Sequence, residues 1–294
     1  MEFALLNGEF IKRSEAKVDV DDRGFQFGDG VYEVIRTYNG KLFTVEEHVN
    51  RFKKSMDSIS ISLPLTTVQL TRLLEELIVK NNLNDGMIYL QVTRGIAPRN
   101  HAFPSASIAP TLVAYTKKLE RPVRNMKFGV KTILTEDIRW LRCDIKSLNL
   151  LGNVLAKQQA AVQGCYEAIL HRGQEVTEGS TSNIFIVKNG VLITHASDNL
   201  ILKGITKDVI LQLCAINNIP FEERTFTLEE LALADEVILS STTSEVMPII
   251  EMNGKKVKGG LPGPFTRRLQ KLYEAEIEKK CGKLTEVLII TKDV

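Results

Sequence analysis

Four Asn-Gly pairs, Asn7-Gly8, Asn39-Gly40, Asn189-Gly190 and Asn253-Gly254, run from one end of the chain to the other, each between apolar or β-branched runs. Both residues of such a pair tolerate the positive φ of a type I′ turn, whose twist matches two antiparallel strands. Antiparallel sheet is therefore expected throughout. Between the turns the period changes. Val49, Phe52, Met56 and Ile59 recur at helical spacing, and Leu70, Leu73, Leu74, Leu77 and Ile78 share one face of a second helix. Alternation returns over Met87 to Thr93 and Thr111 to Thr116, and the charged stretch Lys117 to Asn125, with Pro122, reads as a linker. Beyond it the pattern predicts a strand near Val130 to Leu134 and a helix from Ser147 to about Gln163 stopped by Gly164. Hairpin strands up to His195 follow, then a helix over Thr206 to Asn217. A T-x-x-E box at Thr227 and Glu230 opens a short helix, and an amphipathic helix runs from Pro264 through Phe265, Leu269 and Leu272 to Gly282. With no repeat of 20 to 50 residues, this is an α+β layout in two domains. A small α/β N-terminal domain is expected over 1–118, a linker over 119–124 and a larger β-rich domain over 125–294.

Charge and cysteine usage narrow the function. Thirty-eight Lys plus Arg against 36 Asp plus Glu leave a net charge of +2, too balanced for a polyanion-binding surface, so no nucleic-acid partner is expected. No apolar run approaches the roughly 20 residues of a membrane span, and the first residues lack a basic n-region and a signal-length apolar region. A cytoplasmic protein without a membrane partner is expected. Cys143, Cys165, Cys214 and Cys281 are far apart, and His48, His101, His171 and His195 are scattered. Free thiols, no disulfide framework and no metal site follow. H-E-x-x-H, G-x-S-x-G and P-loop patterns are all missing from the sequence.

Several segments carry residue types suited to chemistry. Lys146 stands alone in the stretch from Ile138 to Leu151, after an apolar position and just before the expected helix. Among apolar neighbours a lysine loses part of the stabilisation of its charge, which makes its neutral amine a nucleophile toward carbonyls; a surface lysine capping a loop fits the same spacing. Glu178, between Thr177 and Gly179-Ser-Thr-Ser-Asn183, suits either an ordinary turn or a hydrogen bond to a buried heterocyclic nitrogen. Gly204-Ile205-Thr206 opens a helix, where free N–H groups favour an anion, and Ser240 to Ser244 offers five hydroxyls in succession. Arg51 is a phosphate clamp or a solvated charge. Arg94-Gly-Ile-Ala-Pro-Arg99-Asn-His101 concentrates cations suited to a carboxylate, or forms an exposed polar turn.

Taken in order along nearly the whole chain, these segments resemble the fold-type IV pyridoxal-phosphate enzymes, and within them the D-amino acid aminotransferases. The resemblance is carried by Asp22-Arg-Gly-Phe-Gln-Phe-Gly-Asp-Gly-Val-Tyr32-Glu-Val34, Glu47-His48-Val-Asn-Arg51, Gln91 to His101, Trp140 to Leu151, Thr177 to Asn183, Leu202 to Thr206 and Ser240 to Glu245. It implies pyridoxal 5′-phosphate as cofactor, Lys146 as the Schiff-base lysine, and Glu178 as the partner of the pyridine nitrogen. Arg51, Ile205, Thr206, Ser241 and Thr242 would hold the phosphate. Tyr32 would lie by the substrate, and Arg99 and His101, reaching in from the other subunit of a homodimer, would bind its α-carboxylate. The reaction implied is ping-pong transamination between D-amino acids, of the D-alanine and D-glutamate type, and 2-oxo acids. A branched-chain L-amino acid aminotransferase would have no need of Arg99 and His101. An aminodeoxychorismate-type lyase and a non-catalytic carrier of phosphate ligands are the remaining alternatives. The resemblance leaves out one terminal feature, an apolar run over Thr285 to Thr291 that reads as an extra edge strand.

Overall fold

The computed structural model describes residues 2–285, so the terminal run lies outside the described residues from 286 onward. The chain divides into two compact units. The first holds residues 1–120, 145–150 and 280–282, and the second holds 121–144, 151–279 and 283–294. The boundary falls between Glu120 and Arg121, and the segment carrying Lys146 clusters with the first unit rather than with the C-terminal one.

In the first unit, β1 (Phe3–Leu6), β2 (Glu9–Lys12), α1 (Arg23–Phe27), β3 (Gly30–Tyr38), β4 (Lys41–Leu42), α2 (Val45–Ser58), α3 (Thr67–Lys80), β5 (Gly86–Thr93) and β6 (Thr111–Lys118) follow in chain order. The six strands form one sheet in the order β2-β1-β6-β5-β3-β4, antiparallel at every step. Its core joins Val31, Ile35, Ile88 and Leu90 of the strands to Val49, Phe52 and Met56 of α2 and Leu70, Leu74, Leu77 and Ile78 of α3. The helical spacings read from the sequence are the buried faces of these two helices. Each such side chain contributes roughly 1.5–3 kcal/mol through burial.

The second unit contains α4 (Val123–Phe128), β7 (Val130–Glu136), α5 (Leu151–Val162), β8 (Glu167–Arg172), β9 (Glu175–Gly179), β10 (Asn183–Lys188), β11 (Val191–Thr194), α6 (Ile205–Ile216), β12 (Phe221–Glu223), α7 (Leu228–Ala232), β13 (Glu236–Ser241), β14 (Glu245–Met252), β15 (Lys255–Lys256) and α8 (Pro264–Cys281). Its sheet has the order β12-β11-β10-β13-β14-β7-β8-β9, with β15 paired to β14. Three pairings are parallel: β11 with β12, β14 with β7, and β7 with β8 across the α5 crossover. The uniform antiparallel expectation therefore fails here. Ile184 to Val187 are all buried, because both faces of the central strands are covered.

All four Asn-Gly pairs have positive φ at both residues, and each closes a hairpin: β1–β2, β3–β4, β10–β11 and β14–β15. The Thr227–Glu230 capping box is present at α7. Two expectations fail locally. The linker region enters α4 at Val123, and the helix expected from Ser147 starts only at Leu151. The start of the intervening stretch is held against β3. Leu148 donates its N–H to the Gly30 carbonyl at 3.0 Å, and Ser147 bridges to Val31.

Candidate active-site residues

β4 is only two residues long and pairs with the far end of β3, which leaves the other half of that strand's edge open. The chain around Lys146 fills it: Tyr32 N donates to the Lys146 carbonyl at 3.0 Å, and Lys146 N donates to Ser55 Oγ at 3.3 Å. Ile145 anchors the segment in the core. The lysine side chain is half-buried, with Nζ 4.3 Å from the centre of the Tyr32 ring. Tyr32 stacks on Tyr89 at 5.7 Å, and Tyr89 stacks on Tyr115 at 5.1 Å.

On the opposite face of β3, Glu33 is fully buried and receives Arg51 Nε at 2.8 Å and Nη2 at 2.7 Å. His48 Nδ1 lies 3.1 Å from the same carboxylate in a geometry short of a hydrogen bond. Burial alone would raise the Glu33 carboxyl, but the charges of Arg51 and His48 overcome it and hold the group far below its usual range. Burial lowers the His48 imidazole; Glu33 opposes that shift, and Arg51 and Lys146 add to it. Arg51 is thus oriented by a carboxylate rather than being a solvated charge. The sequence reading gives Glu33 no role, although its alternation with Val31 and Ile35 places it on the buried face.

Arg99 and His101 are exposed, and both rest on Phe27: the guanidinium is 4.7 Å from the ring centre, and the imidazole ring is 5.4 Å away. The structure brings these two residues together on one aromatic platform within the first unit.

In the second unit Glu178 lies within β9 rather than in a turn, and it is buried. Arg139 Nη1 donates to it at 2.6 Å, Asn183 Nδ2 at 3.1 Å and Leu202 N at 3.1 and 3.2 Å. Burial pushes its carboxyl up to about 6, against the pull of Arg139 and the Leu202 N–H. Arg139 is shared, because its Nε and Nη2 each bind Asp137 at 2.8 Å. Asn183 also donates to the Leu202 carbonyl at 2.9 Å, and a Cβ on Gly204 would meet Asn183 Oδ1 at 1.9 Å. Only glycine lets the chain pass this close, so Asn183 links the start of α6 to the Glu178 strand. The turn after Glu178 is pinned by Glu167, which accepts from Ser180, from Thr181 at 2.8 Å and from Ser182 at 3.1 Å.

Ile205 and Thr206 occupy the buried first turn of α6, a twelve-residue helix whose N-cap, Gly204, supplies no side-chain hydrogen bond. Its leading N–H groups and dipole suit an anion. Ser241 and Thr242 are half-buried at the end of β13, where Ser241 Oγ accepts Ser244 N at 3.1 Å. The neighbouring Ser240 Oγ is buried and has no hydrogen-bond partner among the described residues. An uncapped helix start, an orphaned hydroxyl and a buried carboxylate poised near pH 6 fit a phosphorylated heterocycle with a protonatable ring nitrogen. The sequence reading gives Arg139, Asn183 and Glu167 no role; no local spacing signals one, since their partners lie on other strands and loops. No cluster of potential metal ligands occurs among the described residues.

The amino-transferase class IV family matches residues 30–252. The chain is 53% identical to the D-alanine aminotransferase of Staphylococcus aureus (strain MSSA476) over 278 residues, 95% of this chain and 99% of that protein. It is 50% identical to the D-alanine aminotransferase of Listeria monocytogenes, over 95% of this chain and 98% of the relative. The branched-chain amino acid aminotransferase of Escherichia coli superposes with a TM-score of 0.88 at 27% identity, covering 97% of this chain and 99% of that one. With the family matched over most of its length and relatives above half identity, this chain is a member of the class IV aminotransferases.

Proposed function

We propose that the protein transfers amino groups between D-amino acids, of the D-alanine and D-glutamate type, and 2-oxo acids, with pyridoxal 5′-phosphate as cofactor. The observation that carries this reading is the contrast in similarity: 53% identity to a D-alanine aminotransferase against 27% to a branched-chain enzyme of the same fold. When bound, the cofactor supplies an electron sink for the substrate carbon that loses its proton. Lys146 is the residue whose amine would hold the cofactor and, when free, would take the proton from the substrate Cα. Its half-buried position against the Tyr32 ring supports that role. Glu178 holds a proton on the ring nitrogen, a role suited to a buried carboxylate whose own ionisation lies near 6. Arg51, oriented by Glu33, and the start of α6 at Ile205 and Thr206 bind the phosphate, with Ser241 and Thr242 adding hydroxyl donors. Tyr32 borders the substrate, and Arg99 and His101 bind its α-carboxylate.

The same reading makes the protein a homodimer in which Arg99 and His101 serve the partner subunit. Exposed apolar side chains in the second unit support a subunit surface: Ile138, Trp140 and Leu141, and Leu151, Val154 and Leu155 on α5. Free thiols at Cys143, Cys165, Cys214 and Cys281 accord with a reducing, cytoplasmic setting.

Lys146→Ala tests the reading. D-alanine to 2-oxoglutarate transfer should fall by at least about 10³-fold while circular dichroism shows an intact fold. Initial-rate plots for the unaltered enzyme should be parallel, as ping-pong kinetics requires. A preference for L-leucine over D-alanine would instead favour the branched-chain reading.

A further inference from the structure

Arg99 and His101 lie in the long connection between β5 and β6, most of which is exposed. Its neck is closed at Gly95, where φ is +100° and a Cβ would meet the Ala109 carbonyl oxygen at 2.1 Å. Two arginines that share one carboxylate anchor the connection: Arg23 holds two of its backbone carbonyls, and Arg94, at its start, binds two carbonyls outside it.

That carboxylate is Asp29, between α1 and β3. Its Oδ1 and Oδ2 accept Arg94 Nη2 at 2.9 Å and Nε at 2.8 Å, and Oδ2 also accepts Arg23 Nε at 2.8 Å. Arg23, buried, donates Nη1 to the Asn100 carbonyl at 2.5 Å and to the Ala102 carbonyl at 3.4 Å. Asn100 separates Arg99 from His101, so Arg23 grips the backbone on both sides of His101. Its guanidinium also lies 4.8 Å from the centre of the Phe27 ring that Arg99 and His101 share. Arg94 fixes the start of the connection, donating to the Ile59 carbonyl at 2.7 Å and the Ser60 carbonyl at 3.1 Å. It also lies 3.5 Å from the Phe103 ring. Two guanidinium groups this close repel each other unless an anion lies between them. Asp29 is that anion, and its carboxyl is held below its usual value by Arg94 and Arg23 against the opposing effect of burial.

We propose that Asp29 is a positioning residue for recognition of the substrate α-carboxylate: through Arg23 it fixes the Asn100 and Ala102 carbonyls, and so the placement of Arg99 and His101. It touches no substrate itself. The proposal rests on the reading of Arg99 and His101 as carboxylate ligands given above.

Steady-state kinetics of the holoenzyme with D-alanine and 2-oxoglutarate test it. Loss of a charge-assisted pair should raise both KM values about tenfold in Asp29→Asn, with kcat within about twofold of the unaltered enzyme. Affinity for pyridoxal phosphate, measured by fluorescence titration, should be unchanged, and Asp29→Glu should recover most of the KM. Arg23→Met leaves the Asp29–Arg94 pair in place and should show the same KM-selective loss, which keeps the test open if Asp29→Asn folds poorly. In an Arg99→Ala background the KM effect of Asp29→Asn should shrink to about twofold or less, because a positioning residue has little left to position. Effects that multiply in full, or a KM that Asp29→Asn leaves unchanged, would overturn the proposal. If Arg99→Ala alone leaves both KM values unchanged, the carboxylate-binding reading itself fails, a result separate from any effect of Asp29.

Discussion

Each unit buries a glutamate against an arginine, and the two carboxylates end in opposite electrostatic states. Glu33 has Arg51 on both of its oxygens and is held far below its usual range; Glu178 is pushed up to about 6. Burial raises both. The difference lies in how each guanidinium meets its glutamate: Arg51 approaches Glu33 in bidentate fashion, whereas Arg139 gives Glu178 one contact and gives two to Asp137, whose negative charge also raises Glu178. A shared arginine leaves its carboxylate under-compensated. The first arrangement suits a rigid brace, and the second suits a group that must meet a cation brought by a ligand.

Breaking the bidentate pair should have the largest effect on stability. Arg51→Met leaves Glu33 charged and fully buried beside His48, and the cofactor-free protein should lose about 3–5 kcal/mol in urea unfolding. Replacing both partners, Glu33→Leu with Arg51→Met, should recover much of that loss. The corresponding double replacement of Glu178 and Arg139 should recover less, because it removes a partner of Asp137.

The sign of pH dependence sharpens the contrast. Glu178 has a folded pKa of about 6 against an ordinary 4.5, so its contribution is complete below about pH 4.5 and is lost as pH rises through 6. Glu33 is depressed, so its contribution is complete above about pH 4.5 and is lost as pH falls toward its depressed value. In cofactor-free protein, the stability difference between the unaltered chain and Glu178→Gln should therefore change by about 2 kcal/mol between pH 4.5 and 7.5, in favour of the glutamine variant at the higher pH. Urea unfolding across that range reads it, and a difference that stays flat would equate the two sites.

Smallest are the helix caps. Thr66 and Thr227 each form a complete capping box, at the fourteen-residue α3 and the five-residue α7 respectively. Thr66→Ala should lower global stability by about 1 kcal/mol. Thr227→Ala should cost less in global unfolding and appear mainly as faster amide exchange in α7, because a helix of one turn can open locally.

How far the sequence reveals these features depends on how local their causes are. The Asn-Gly hairpins and the Thr227–Glu230 box are written within two to four residues, and they form as read. The candidate residues are legible as types: Lys146, Glu178, Arg51, Arg99 and His101 stand out by chemistry. Their supports are not legible, because Glu33 meets Arg51 across 18 positions and Glu178 meets Arg139 across 39. Local reading also misplaces the chain at Lys146. Ser147 to Leu150 have residues that a helix accepts, but Lys146 and Leu148 are hydrogen-bonded to Tyr32 and Gly30, far back in the sequence, and the helix starts only at Leu151. The parallel pairings of β7, β8 and β14 leave no turn signal for the same reason.

The seam by which residues 145–150 close the β3 edge also bears on how the chain is made. As the polypeptide emerges from the ribosome, the first 120 residues contain every strand of the first sheet, yet half of one edge stays unpaired until some thirty residues more have appeared. An open edge invites pairing with another chain. The first unit is therefore a poor place to cut the gene, since a fragment ending at its contact boundary would carry a sticky edge in place of the Lys146 segment. Birth order thus ties completion of the first unit to synthesis of part of the second, and the amine arrives as the last piece of the sheet it completes.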